Sequence, residues 1–311
     1  MNLIKSSAEI IQQGEGLDGL YKHIETCGRV PYKSEDKSDG TVEGAKAFID
    51  RMITSKHFAV LEHGTVYLDL PNSARDFNAV EDYAVNKYSK VVVVSNDGDK
   101  THNYVTTNFR VLVENGWLED LKYICNPTSH HILRITFKVN TSIGVTRELN
   151  RHRALSILEQ STRYCNYSKD KFDNEIKISK PAWLNLNTGI YNFTKPENAR
   201  LLTPLYVAGD GYLQSVLERN EANLFLVGCL SAEELYLSLI DKGWSPQQAR
   251  ELLPLCTATE AVYTGFTDDW AHFFELRYYE TTGRVHPNML ELTTKMKAAA
   301  EETGVWNSIF N

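Results

Sequence analysis

The amino-acid sequence predicts a chain of mixed helix and strand, α/β of the α+β type, folded as one domain over residues 1–311. Three observations predict it. Leu133, Ile135, Phe137 and Val139 alternate strictly with Arg134, Thr136 and Lys138, the period of a strand with one face buried. Asn140-Thr141-Ser142 then offers side chains that cap a helix, in which Val145, Leu149 and His152 share one face while Glu148 and Arg151 share another. Helix-start patterns fill much of the C-terminal half, and no linker, repeat or low-complexity tract divides the chain.

Residues 1 to about 40 mix charge, glycine and short apolar groups without a functional pattern. Val42, Ala45, Phe48, Ile49 and Met52 predict a helix over 41–54. His57 to Gly64 leads into Val66, Leu68 and Leu70, a half-buried strand closed by Pro71-Asn72. Between about 73 and 130 the pattern predicts a helix from Arg75 to Tyr88, a buried strand at Val91-Val92-Val93-Val94, a turn at Asn96-Asp97-Gly98-Asp99 and a hairpin return from Tyr104 to Val113. This part has no catalytic pattern and reads as an insertion on the scaffold. The strand-to-helix unit at 133–149 runs into Arg151–Tyr164, with a loop beginning near Ser156. Further on, Ser231-Ala232-Glu233-Glu234 has capping-box spacing before Leu235, and Ser245-Pro246 opens a helix carrying Arg250. Thr267-Asp268-Asp269 starts an aromatic helix holding His272 and Arg277; Pro287 opens a last one that Gly304 ends.

Composition narrows the function. A net charge of −7 on 311 residues argues against a general nucleic-acid binder, so any anion site must be a local concentration of arginine. The five cysteines (Cys27, Cys125, Cys165, Cys229, Cys256) are scattered without a Cys-x-x-Cys, as expected of free thiols in a reducing compartment. The start lacks a signal peptide's apolar run, and no stretch approaches transmembrane length, so a cytoplasmic protein without membrane or nucleic-acid partners is expected.

One stretch concentrates chemistry. Arg151 to Tyr164 carries three arginines, His152, Glu159, Ser156, Ser161 and Thr162 within fourteen positions. Guanidinium forks suit phosphates and carboxylates, and the alternative is a solvated helical face. His57, Glu62 and His63 raise the possibility of a metallohydrolase, yet their spacing is not that of a zincin and no metal is expected. Ser161 lacks an adjacent base that would activate it as a nucleophile, and no glycine-rich phosphate cradle is present.

Arg151-His152-Arg153, seven residues and Ser161, with Glu159 and Arg163 around the serine, resembles the RHR-x7-S signature of the flavin-dependent thymidylate synthases. Three further blocks resemble that family in the same order: His57 to His63, Ala249-Arg250-Glu251-Leu252-Leu253-Pro254, and His272-Phe273-Phe274-Glu275-Leu276-Arg277. The resemblance spans roughly 45–70 and 130–300. It implies a mixed sheet packed with long helices, and a cytoplasmic homotetramer whose active sites are shared between subunits. It also implies reductive methylation of dUMP to dTMP, with methylenetetrahydrofolate as carbon donor and NADPH reducing through FAD. Carried over residue by residue, it puts Arg151, His152, Arg153 and Glu159 on FAD, with His57 and His272 beside it. Glu148, Arg151, Glu159, Gln160, Ser161, Thr162, Arg163 and Arg250 would line the dUMP site. Arg277 would sit at the uracil edge as the catalytic cation stabilising the deprotonated ring. A non-catalytic nucleotide-binding homologue is the rival reading. The chain departs from the family at Glu148, where glutamine is usual, at Ala59, where a hydroxyl is usual, and at 266–268 and after Arg277.

Overall fold

The computed structural model describes residues 1–75, 77–95, 101–192 and 220–310. The strands are β1 (Asn2–Ile4), β2 (Ser7–Ile10), β3 (Thr65–Leu70), β4 (Lys90–Ser95), β5 (Thr101–Asn108), β6 (Arg134–Ser142), β7 (Ser156–Glu159), β8 (Lys177–Ser179), β9 (Gly189–Ile190) and β10 (Ala258–Phe266). The helices are α1 (Gly16–Arg29), α2 (Val42–Thr54), α3 (Ala79–Val85), α4 (Phe109–Asn115), α5 (Ile143–Leu149), α6 (Glu221–Asp241), α7 (Pro246–Ala249), α8 (Thr267–Arg277), α9 (Pro287–Glu302) and α10 (Trp306–Phe310). Helix and strand are thus mixed as the sequence predicts, in an α+β arrangement.

Among the described residues the strands form three sheets, ordered β2-β6-β10-β7, β3-β5-β4 and β8-β1-β9. The four-stranded sheet is antiparallel throughout, with Phe137 opposite Tyr263 and Thr136 opposite Thr264. Parallel pairing occurs in the smallest sheet, between β1 and β8. Ser142 accepts a hydrogen bond from the Val145 amide at 3.2 Å and so starts α5 directly off β6.

Helices α8 and α9 cover the four-stranded sheet. Phe137, Tyr263, Trp270, Phe273, Phe274, Met289 and Leu292 are fully buried in one cluster. Burying each large side chain contributes about 1.5–3 kcal/mol. The Trp270 indole also donates to the Ile135 carbonyl at 3.0 Å, which anchors α8 to β6 and aims its far end, with His272 and Arg277, at the α5–β7 turn.

Several local expectations are corrected. No loop begins at Ser156: residues 156–159 form β7, paired with β10. β10 itself was not anticipated, because Ala258, Ala261, Val262 and Tyr263 are buried on both faces and blur the two-residue period. β3 likewise is buried on both faces rather than half-buried. Val91–Val94 lies on an edge strand with Val93 57% exposed. The helix expected from Arg75 to Tyr88 is confined to 79–85, and the expected hairpin return becomes strand to Asn108 and helix from Phe109. The Asn96–Asp99 turn lies outside the described residues. Ser231 caps nothing; α6 starts at Asn220, whose side chain accepts from the Asn223 amide at 2.9 Å, and runs through to Asp241. Arg250 follows a four-residue helix and opens a 3-10 turn. His152 lies beyond the end of α5 rather than on its face.

Contrary to expectation, α6 is long and apolar enough to cross a membrane, at 21 residues and a mean hydropathy of 1.4. Leu226, Val227, Leu230 and Tyr236 pack it into a core with Leu3 and Ile178. Its Glu233 takes the Met1 ammonium at 2.7 Å, as in a helix docked on protein.

Candidate functional site

The Arg151-His152-Arg153 segment is a tight turn between α5 and β7. Amides of Arg151, His152 and Leu155 bond back to Glu148, Leu149 and His152 carbonyls at 3.3, 2.9 and 3.1 Å. Asn150 braces it, donating to Glu159 at 3.3 Å and accepting from the Tyr263 hydroxyl at 2.8 Å. Leu155 is buried, and this pins the turn so that Arg151 and Arg153 are exposed while His152 turns inward, edge-on to Phe273 at 4.9 Å between ring centres.

Arg277 arrives from α8. Its Nε donates to His152 Nε2 at 3.1 Å, and its Nη1 lies 3.4 Å from Glu148 Oε2. Burial first, then the guanidinium of Arg277 and the neighbouring His272 and Arg151, push His152 down to about 4. The imidazole is therefore neutral at pH 7 and free to accept, which orients the guanidinium. Arg151, His152, Arg153, Asp269, His272 and Arg277 line one recess of about 310 Å³. Burial raises the Asp269 carboxyl, and His272 is exposed, 3.9 Å from Glu275.

The second part of the motif is held by the sheet. Glu159 accepts from the Thr146 hydroxyl at 2.7 Å, and the Gln160 amide donates to the Glu260 carbonyl at 2.8 Å. The Ser161 amide donates to the Pro31 carbonyl at 3.0 Å. Arg250 donates to the Thr162 hydroxyl at 3.4 Å, so Ala249-Arg250 and the Ser161–Arg163 turn meet within one chain. Arg163 is exposed, its guanidinium 5.5 Å from the Tyr164 ring centre.

His57 does not join the His152 recess within one chain. It lines a separate surface recess with Tyr32, Arg51 and Tyr164. The metal reading of His57, Glu62 and His63 loses its geometry. His63 is fully buried with Nδ1 2.8 Å from Thr264 Oγ1, and Glu62 pairs with Arg110 at 2.6 Å. No His/Cys/Asp/Glu group among the described residues is arranged for a metal.

Sequence reasoning missed Asp269, taken as a helix starter, and Tyr32 and Arg51. Only the fold brings those two beside His57; their local sequence carries no signal.

Across known proteins, the family model described as "Thymidylate synthase complementing protein" matches residues 125–302, more than half of the chain. The chain belongs to that family. It is 26% identical over 152 residues to the "Probable flavin-dependent thymidylate synthase" of Paramecium bursaria Chlorella virus 1. That match covers 49% of this chain and 60% of the viral protein, so the chain spans less than two thirds of that relative's length. Among solved structures, the UMP/dUMP methylase PolB of Streptomyces cacaoi bound with 5-Br dUMP is 19% identical with a TM-score of 0.41. The same enzyme bound with 5-Br UMP is 17% identical with a TM-score of 0.42; both cover 100% of this chain and 96% of PolB. The family is the one that the four sequence blocks resemble.

Proposed function

We propose that this protein is a flavin-dependent thymidylate synthase, converting dUMP to dTMP with methylenetetrahydrofolate as carbon donor and NADPH reducing through FAD. The observation that carries the reading is the junction of Arg277 with His152 and Glu148, which unites the motif turn and the α8 arginine in one cationic recess.

The donor set fits a flavin dinucleotide. Arg151 and Arg153 are exposed, and neither forms an ion pair with a described residue, so both guanidiniums are available to a diphosphate. The bound flavin supplies the redox chemistry. The chain's own residues bind and orient. Arg277 stays a cation at every physiological pH and cannot serve as a base. It stabilises negative charge on the pyrimidine ring when N3 is deprotonated, acting as a preorganised electrostatic group. His152, neutral and accepting from its Nε, fixes its direction, and Glu148 holds its other edge until substrate arrives. Ser161, Thr162, Arg163 and Arg250 receive the nucleotide phosphate, with Ser161 a binding group rather than a nucleophile.

The reading includes a cytoplasmic homotetramer with sites shared between subunits. That His57 and the His152 turn line different recesses in a single chain supports it. It takes residues 1–311 as one domain with an insertion at about 73–130. Purified protein should be yellow and bleach anaerobically with NADPH faster when dUMP is present. A colourless protein that FAD cannot reconstitute sinks the reading; one that binds dUMP without forming dTMP is the non-catalytic homologue.

A further inference from the structure

A cavity of about 430 Å³ uses none of the residues in the His152, Ser161–Arg250 and His57 groups. It lies between the Gln12–Gly16 loop that opens α1, Thr65 and Tyr67 of β3, and Arg134, Ile135 and Thr136 of β6. Its chemistry is set by two buried nitrogens that lack a well-formed hydrogen bond, Arg134 Nε and His23 Nδ1. Arg134 spends Nη1 on the Glu62 carbonyl at 3.0 Å and Thr65 Oγ1 at 3.4 Å, and Nη2 on Ser156 Oγ at 3.3 Å. All three are neutral oxygens, and its buried Nε has no hydrogen-bond partner. Burial lowers Arg134 only to about 10, so it stays a cation at neutral pH.

The second is Nδ1 of His23, 4% exposed, which donates in the tautomer whose Nε2 accepts from the Thr136 hydroxyl. Its Nε2 is fixed 3.1 Å from Thr136 Oγ1, which lies 2.8 Å from Thr264 Oγ1. The Gln12 backbone lies beside this ring as a weak acceptor that favours its protonated form. Glu62 and Asp269 act on the Arg134 cation from a distance, no carboxylate oxygen bonds it directly, and a buried N–H without an acceptor is costly. Both residues lie on one cavity, and an anionic acceptor relieves both.

The walls select the kind of anion. Ile10, Ile11, Tyr67, Ile124, Leu133 and Val305 make them largely apolar. Arg134 is the one lysine or arginine among the lining residues, and the one lining acid, Glu15, is exposed. A phosphate dianion requires more positive charge than this. We propose that the cavity binds a small monoanionic organic acid, its carboxylate received by Arg134 and His23 and its apolar body lodged against Ile10, Ile11, Tyr67 and Ile124. This site is independent of the flavin reading.

Titration calorimetry of the full chain tests it, with benzoate as probe. Saturable one-site binding is expected, at least tenfold tighter than for benzamide or inorganic phosphate. Arg134→Met should weaken benzoate at least tenfold and His23→Phe several-fold. Should Arg134→Met fail to fold, Val305→Trp decides the matter. It fills the cavity without touching a charge, and must abolish benzoate binding while leaving dUMP and FAD binding unchanged. No benzoate binding, equal binding of benzamide, preference for phosphate, or benzoate binding that survives Val305→Trp each overturns the proposal.

Discussion

The two halves of the Arg151–Tyr164 stretch are built in opposite ways. The head, Arg151-His152-Arg153, is a turn whose backbone bonds close on itself, so its guanidiniums are left to solvent and to a ligand. The tail begins as β7, and ladder pairing with β10 dictates where each side chain points. Glu159 is turned to Thr146 and Asn150, and Gln160 to the backbone of Glu260. A turn displays charge, whereas a strand, even at a sheet edge as β7 is, directs alternate side chains to fixed neighbours. Substitutions in the head should therefore change chemistry at little cost in stability, and those in the tail should change both.

The largest expected effect lies where α8 meets the head. Arg277→Ala removes one cation from that recess and should lower dTMP formation by about 10²–10³-fold or more, with assembly and flavin absorbance retained. If the variant turns over at the wild-type rate, the recess at the head is not where charge is stabilised. Glu159→Ala leaves Thr146 and Asn150 without their acceptor and should cost about 1–3 kcal/mol in urea unfolding. A Glu159 variant of unchanged stability would erase the contrast between the halves.

Histidine protonation separates core from site. His23 and His152 are held down to about 4, and His63 well below its ordinary value, each chiefly by burial. Between about pH 6.5 and 4 the unfolded chain binds protons that the folded chain refuses. Stability is thus fully present above pH 6.5 and falls as pH drops, by up to about 1.4 kcal/mol per pH unit for each fully buried histidine. Unfolding midpoints at pH 7, 5.5 and 4.5 measure the slope, which His23→Gln should flatten. The smallest effect belongs to Ser161→Ala. Loss of one hydroxyl contact of about 1 kcal/mol should weaken dUMP by up to roughly tenfold and leave turnover measurable. A covalent nucleotide adduct at Ser161, found by mass spectrometry of denatured protein, would reverse its assignment as a binding group.

The readable parts of the fold are those with local causes. Ser142 caps α5, Pro287 opens α9 and Thr267 starts α8 as their sequences indicate. β10 escaped notice because a strand buried on both faces loses its two-residue period, and α6 hid its start because the Ser231 pattern falls inside a longer helix. The motif turn was legible as a cluster of arginines, but that Arg277 meets His152 from 125 positions away was not. Nor was the half-burial of Arg134 and the enclosure of its Nε, since alternation with Leu133 and Ile135 marks it as the solvent side of a half-buried strand. The structure packs both faces of β6, so that residue ends beside His23, Thr65 and Tyr67.

By itself, the sequence determined the mixed α+β class, the helix caps and the four blocks of family-like residues, because each depends on neighbours within a few positions. The tertiary structure alone decided which of those blocks share a recess. It also set the charge state of His152 and left Arg134 Nε and His23 Nδ1 without well-formed hydrogen bonds beside a cavity. Desolvation and the approach of distant charges set those properties, and both depend on which strands and helices pack together rather than on which residues adjoin in the chain.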